Sequence, residues 1–178
     1  MTIVKQNQYI PPHHYTQIRR RLDPRMAALC DLLRATGYRV DDVLHTHVGD
    51  WRGDTITLRE SKTGNVRTIS KTPAVAAAVE RLLAYRPHVQ DDEPLCRGMR
   101  YRPGDSPYLH RTTVWRRFTA AVKAAGYEDA GYTVHSLRKM YARERYDATQ
   151  SLLAVQRDLG HKNLTTTMWY VCGSDVRL

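Results

Sequence analysis

Residues 54–72, DTITLRESKTGNVRTISKT, read as two short strands around a tight Lys-Thr-Gly-Asn turn. Ile56 and Leu58 alternate with polar residues on the first strand, and Val66 and Ile69 supply the apolar positions of the second, where Thr68 disturbs the phase. The segments around this hairpin carry helical punctuation. Pro12 opens a helix predicted to reach about residue 22, a second is predicted over 25–35, and a short third over 40 to about 45. After the hairpin, Thr72 and Pro73 stand in the cap-then-proline order of a helix start, and that helix is predicted through Tyr85. Residues 112–125 form an amphipathic helix closed by Gly126, 136 to about 146 another, and 151–159 a third that ends at Gly160. A final short helix is predicted to carry Tyr170. An extended segment near Leu95 is a candidate third strand, with loops at 87–94 and 98–107. The expected fold is α+β, mostly helical, with a small antiparallel sheet of two to three strands inserted early. At 178 residues the chain suits a single domain over 1–178.

Composition narrows the partners. With 28 basic and 18 acidic residues the formal charge is +10, a field that attracts a polyanion. Arginines outnumber lysines 22 to 6, which favours directed phosphate contacts. Arg19, Arg20 and Arg21, then Arg97, Arg100 and Arg102, then Arg111, Arg116 and Arg117 are candidate clusters for contacting such a polyanion. Cys30, Cys96 and Cys172 lie far apart, and the histidine pairs at 13–14 and 45–47 lack zinc spacing, so neither disulfides, a metal nor a cofactor is expected. No apolar run approaches the roughly 20 residues of a membrane span. A cytoplasmic protein is expected.

The last third places His135 and Arg138 in HSLR, His161 in LGH, and Tyr170 nine residues further on. Attack on a phosphodiester needs a nucleophile, a group to take its proton, and fixed positive donors around the non-bridging oxygens. His135 and Arg138 share one face of a helix at spacing i, i+3, with Thr133 or Ser136 as its cap. An arginine fork can donate to two phosphate oxygens and keeps its charge at any working pH. A tyrosine hydroxyl, with an unperturbed pKa of about 10, needs a neighbouring base or cations to become a nucleophile. Any one tyrosine among eleven is more often a packing residue; the ordered set carries the reading.

The stretch YTVHSLRKMYARERYDATQSLLAVQRDLGHKNLTTTMWYV, residues 132–171, resembles the C-terminal part of the tyrosine recombinases, the phage integrase family, and the resemblance extends over essentially the whole chain. It implies two further site residues. One is Arg39 in ATGYRVDDVL, where Asp42 replaces the family's usual glutamate as the carboxylate that orients the arginine; the other is Lys62 at the hairpin turn, with Lys71 as competitor. By resemblance Tyr170 is the nucleophile, His135 its proton acceptor, Arg39 and Arg138 the phosphate clamp, His161 a further donor, and Lys62 the acid that protonates the leaving 5′ oxygen. Lys139 after Arg138 and Tyr38 before Arg39 depart from common family residues without removing a reacting group.

The implied activity is site-specific recombination of double-stranded DNA through a 3′-phosphotyrosyl intermediate, in integration, excision or inversion. Type IB topoisomerase-like relaxation and a non-catalytic DNA-binding regulator are the alternatives. The resemblance implies assembly as a tetramer on DNA. The family's N-terminal clamp domain is expected to be missing and only eight residues follow Tyr170, so self-association without DNA should be weak.

Overall fold

The computed structural model describes residues 7–98 and 106–172. Among the described residues, eight α-helices and one β-hairpin follow in the order α1 (Pro12–Arg19), α2 (Pro24–Thr36), α3 (Val40–Leu44), β1 (Thr55–Arg59), β2 (Val66–Ser70), α4 (Pro73–Leu83), α5 (Arg111–Ala124), α6 (Val134–Thr149), α7 (Leu152–Leu159) and α8 (Leu164–Cys172). A single 3-10 turn, Gly49–Trp51, precedes β1. The expected α+β, mostly helical architecture is the one observed.

The central helix is α2, and local chemistry fixes both its ends. The Asp23 carboxylate accepts from the backbone N–H of Met26, Pro24 occupies the first turn, and Gly37 closes the helix at φ +63°, a left-handed conformation that costs side-chain-bearing residues energy. Between these caps Met26, Leu29, Leu32 and Leu33 are buried, and the helix packs against α4 and α6. Burying each of these side chains contributes about 1.5–3 kcal/mol relative to exposure. Tyr15, Trp51, Ile56, Phe118, Leu137 and Met140 complete this core. A second, smaller cluster of Ala142, Val155, Leu159 and Val171 joins α6, α7 and α8, with Tyr141, Tyr146 and Tyr170 against it. The final helix is thus anchored to α6 by its own apolar contacts.

In the antiparallel hairpin, Ile56 faces Ile69 and Leu58 faces Arg67. The expected inward role of Val66 is corrected: Val66 is 57% exposed, and Arg67 is the buried residue of the second strand. Thr68 does not break the alternation. It lies on the outer face, where its hydroxyl meets that of Thr57 at 2.8 Å. The candidate third strand near Leu95 forms only isolated bridges, His47 to Pro94 and Arg97 to Tyr108, so the sheet has two strands among the described residues. Helix α6 runs past its expected end to Thr149, because nothing in the sequence stops it before Gln150, which caps it at φ +51°. Most of the second predicted loop, together with Arg100 and Arg102, lies outside the described residues. Among the described residues no helix is long and apolar enough to cross a membrane.

Candidate active site

The six residues picked out in sequence come from five places along the chain, and those places are brought together by α6. Thr133 caps this helix: its N–H donates to the Ser136 hydroxyl at 3.0 Å, fixing the first turn where His135 sits. Nε2 of His135 is hydrogen-bonded to the Tyr170 hydroxyl, and the two rings meet edge to face at 5.5 Å. His161 follows the glycine that ends α7, Gly160 at φ +65°, and its ring also meets the Tyr170 ring at 4.7 Å. Its Nδ1 lies 3.1 Å from the buried Thr167 hydroxyl, which sets the ring's orientation. Tyr170 is therefore held between two imidazoles on α8.

Arg138 lies one turn after His135 and is buried. Its Nη1 donates to the Gly37 carbonyl and its Nη2 to the Leu159 carbonyl, both at 2.6 Å. Those carbonyls end α2 and α7, the negative poles of two helices, so the cation is favoured there. Two of its five N–H donors are used in this way, and its charge favours the ionised form of Tyr170. Burial, with Arg39 and Arg67 nearby, lowers the Arg138 pKa to about 10, so the group remains charged at neutral pH.

Arg39 stands at the N-cap of α3, immediately past the end of α2, and is the most accessible of the clustered guanidiniums. Asp42 was the carboxylate expected to orient it, but the two stand 4.0 Å apart. Glu60 is the nearer partner, with Oε1 at 2.5 Å from Nη1 of Arg39. Asp42 instead accepts from both the backbone N–H (2.9 Å) and the hydroxyl (2.8 Å) of Ser61. It thereby tethers the hairpin turn next to Lys62.

Glu60 and Arg67 are the components that sequence reading missed. The Glu60 side chain is completely buried, and besides Arg39 it has Arg138 at 3.7 Å and Arg67 at 3.8 Å. Burial works to raise its pKa, but hydrogen bonds from Arg39 and Thr63 and the charges of Arg39 and Arg138 together outweigh it and hold the carboxyl below its ordinary value. Arg67 lies over the Tyr38 ring at 4.4 Å and donates to the Thr36 carbonyl at 3.3 Å. Strict alternation backwards from Ile69 would have put Arg67 inside. The signal was present, but charge argued against it.

Lys62 is exposed on the hairpin turn, and its charge is among those that act on His135. The competitor Lys71 follows β2 at the opposite end of the hairpin, where its Nζ donates to the Arg52 carbonyl at 3.3 Å. Lys139 adds a cation 5.8 Å from the centre of the Tyr170 ring.

The electrostatics of the site follow from this crowding of cations. Burial first, then Arg138 and Lys139, push the His135 pKa down to about 4; burial with Arg138 and Arg39 does the same to His161. Both imidazoles are neutral at pH 7. Burial raises the Tyr170 pKa, and the charges of Arg138 and Arg39 oppose it. The site thus holds a neutral phenol against a neutral base, inside a ring of positive charge.

The family model of the phage integrases matches residues 8–175. The chain belongs to the phage integrase family. Among its members, the tyrosine recombinase XerC of Rhizobium meliloti (strain 1021) is 31% identical over 159 residues, covering 86% of this chain and 47% of that protein. XerD of the same organism is 30% identical over 156 residues, covering 86% and 49%. The chain spans about half the length of these curated relatives. The probable integrase/recombinase YoeC of Bacillus subtilis (strain 168) is 28% identical over 134 residues, covering 75% of this chain and 69% of that one. In three dimensions the phage integrase fold is shared with XerA recombinase (TM-score 0.76, 22% identity, 96% of this chain and 60% of that chain). A lambda integrase dimer bound to a COC′ core site is similar at TM-score 0.77 and 23% identity, over 100% of this chain and 51% of that one.

Proposed function

We propose that this chain cleaves and rejoins double-stranded DNA through a 3′-phosphotyrosyl intermediate, and that the reaction serves site-specific recombination. The observation that carries this reading is the Tyr170 hydroxyl hydrogen-bonded to Nε2 of His135, beside Arg138 and His161. Tyr170 forms the Oη–P bond as the bond from phosphorus to the 5′ oxygen breaks. Its proton passes to Nε2 of His135. Lys62, on its exposed turn, gives a proton to the leaving oxygen.

The depressed basicity of His135 fits this sequence of events. In the free protein burial, together with the charges of Arg138, Lys139, Arg39 and Lys62, holds the imidazole neutral, so it can accept. A bound phosphate brings negative charge to the same arginines and offsets their potential, which raises the basicity of His135 at the moment the proton must move. Arg39 and the unused donors of Arg138 take the non-bridging oxygens, where preorganised charge stabilises the transition state. His161 donates to one of them. A 5′ hydroxyl from a partner strand reverses the chemistry and reseals the ester, with no metal and no nucleotide consumed.

The charge of +10 supports a DNA partner. Several residues of the expected contact clusters hold intramolecular partners: Arg19 with Asp31 at 2.8 Å, Arg111 with Asp41 at 3.2 Å, Arg117 with Asp23 at 2.8 Å. The exposed pairs of Arg111 and Arg117 contribute at most about 1 kcal/mol and yield readily to phosphate, whereas Asp31 is part-buried and also holds Tyr15 and Arg81. Lambda integrase, similar in fold, is known as a tetramer bound to a Holliday junction; we carry the same assembly to this chain, formed on DNA.

The test uses nicked duplexes with randomised sequence around the nick, which trap the covalent complex because the short 5′ fragment diffuses away. A protein–DNA adduct with wild type and none with Tyr170→Phe is expected. An equal adduct from Tyr170→Phe would remove Tyr170 as nucleophile, and relaxation of supercoiled plasmid without sequence preference would favour topoisomerase action over recombination.

A further inference from the structure

We propose that Glu60 is a positioning residue that couples the phosphate-binding Arg39 to the turn carrying Lys62, so that clamp and acid are set by one carboxylate. The inference rests on the roles given to Arg39 and Lys62 above. Each Glu60 oxygen serves a different element. Oε1 meets Nη1 of Arg39 at 2.5 Å, at the junction of α2 and α3, while Oε2 accepts from the Thr63 hydroxyl at 2.7 Å, inside the turn.

The backbone of Glu60 adds to the second attachment. Its N–H donates to the Asn65 carbonyl and its carbonyl accepts from the Gly64 N–H, both at 2.8 Å, so the residue forms the base of the turn whose exposed member is Lys62. The side chain has no access to solvent. A fully buried carboxylate is costly unless its charge is answered, and here the nearest cation is Arg39, which would handle the scissile phosphate, with the Thr63 hydroxyl on the other oxygen. Arg39 has little else to hold it: α3 is five residues long, Arg39 makes no side-chain cap to it, and Asp42 is 4.0 Å away.

Glutamine at position 60 keeps the volume but has one accepting oxygen where two are needed. Its amide nitrogen must face either Arg39, which it cannot accept from, or the Thr63 hydroxyl, to which it can only donate, so one attachment is lost or reversed and the arginine loses its counter-charge. A displacement of about 1 Å in a positioned group is worth on the order of 100-fold in rate, and Glu60→Gln is expected to lose about that factor in single-turnover cleavage with unchanged DNA affinity. Thr63→Ala loses the bond to Glu60 and the longer one, 3.3 Å, that the Asn65 N–H makes to the same hydroxyl, while the backbone bonds of the turn remain, so it should fold; about five-fold is expected.

A structural role alone would not distinguish leaving groups, and the proposal does. Replacing the bridging 5′ oxygen with sulfur gives a thiolate leaving group, with a conjugate-acid pKa of about 8.5, that departs without an acid. On this substrate the Glu60→Gln deficit should shrink but persist, since the Lys62 part is bypassed and the Arg39 part is not. The Thr63→Ala deficit should vanish. A Glu60→Gln deficit that is absent, unchanged by sulfur, or abolished by it overturns the coupling, as does a Thr63→Ala deficit that is absent or unchanged. If Glu60→Gln does not fold, Thr63→Ala decides alone. Lys62→Ala is the control: if sulfur does not restore it, the acid assignment fails and the inference falls with it, whereas recovery of Lys62→Ala without the Glu60 pattern counts against the inference only.

Discussion

Replacing Gly37 by alanine should damage both the stability and the geometry of the site, and the size of the effect can be worked from the structure. The residue sits at φ +63°, and an added Cβ would lie 2.5 Å from Cδ1, 2.7 Å from Cγ and 2.9 Å from Cε1 of Tyr141. The left-handed conformation costs roughly 1–2 kcal/mol for a residue with a side chain. Overpacking adds about 1–3 kcal/mol, because the obstructing atoms include the root of an aromatic ring that cannot swing aside. The sum, about 2–5 kcal/mol, corresponds to a fall in Tm of roughly 4–20 °C for a domain this size. Tyr141 is three residues after Arg138 on α6, and the Gly37 carbonyl is the 2.6 Å acceptor for Nη1 of Arg138. A shift there therefore moves Arg138, the proposed phosphate clamp, as well. Urea denaturation measures the first effect, and the rate of covalent adduct formation by the folded fraction measures the second. A Gly37→Ala protein within about 0.5 kcal/mol of wild type, the range of an innocuous surface change, would refute the reasoning.

Three other outcomes are expected. His135 and His161 have folded-state pKa values of about 4 against an ordinary 6.5, so between those values the unfolded chain binds more protons and stability falls as pH drops from about 6.5 towards 4, with a plateau above about 7; urea midpoints at pH 7.5, 6.5 and 5.5 that stay level or rise on acidification would contradict this. The hairpin register is tested by two adjacent substitutions: Val66→Lys should change stability by less than about 0.5 kcal/mol, while Arg67→Leu, which strips donors from the Gly37 and Thr36 carbonyls, should cost about 3–5 kcal/mol, and the reverse order in chemical denaturation would place the wrong residue inside. Arg116→Ala, at an exposed position on α5, should weaken binding to duplex DNA about equally across sequences and reduce the slope of log K against log salt by about 1; an unchanged slope would take that helix face out of the interface.

Much of the site was legible in the sequence because its components carry local signals. The capping residues Thr133 and Ser136, the glycines at 37 and 160, and the Thr72-Pro73 start each mark an end of a helix, and the first four lie beside the candidate site residues. His135, Arg138 and Tyr170 could be read as a set for that reason. The charge core could not. Glu60 is paired through space with residues 21, 7 and 78 positions away, and nothing in the local pattern distinguishes it from a solvated glutamate at the end of a strand. Arg67 was misplaced because hydrophobic alternation assumes that an apolar residue points inward. Val66 was chosen over an arginine whose burial is made tolerable only by the Tyr38 ring, two backbone carbonyls and Glu60. Asp42 was read in the right neighbourhood but given the wrong partner, since sequence spacing shows that a carboxylate is near Arg39 and not that Ser61 claims its oxygen.

The claim on which the account stands is that the Tyr170 hydroxyl becomes the covalent link to DNA. Its most direct test is to digest the trapped protein–DNA adduct with nuclease and protease and locate the remaining nucleotide by mass spectrometry. The account predicts a 3′-linked nucleotide on the peptide containing Tyr170, at that residue. A nucleotide on another side chain, or a 5′ linkage, would contradict it.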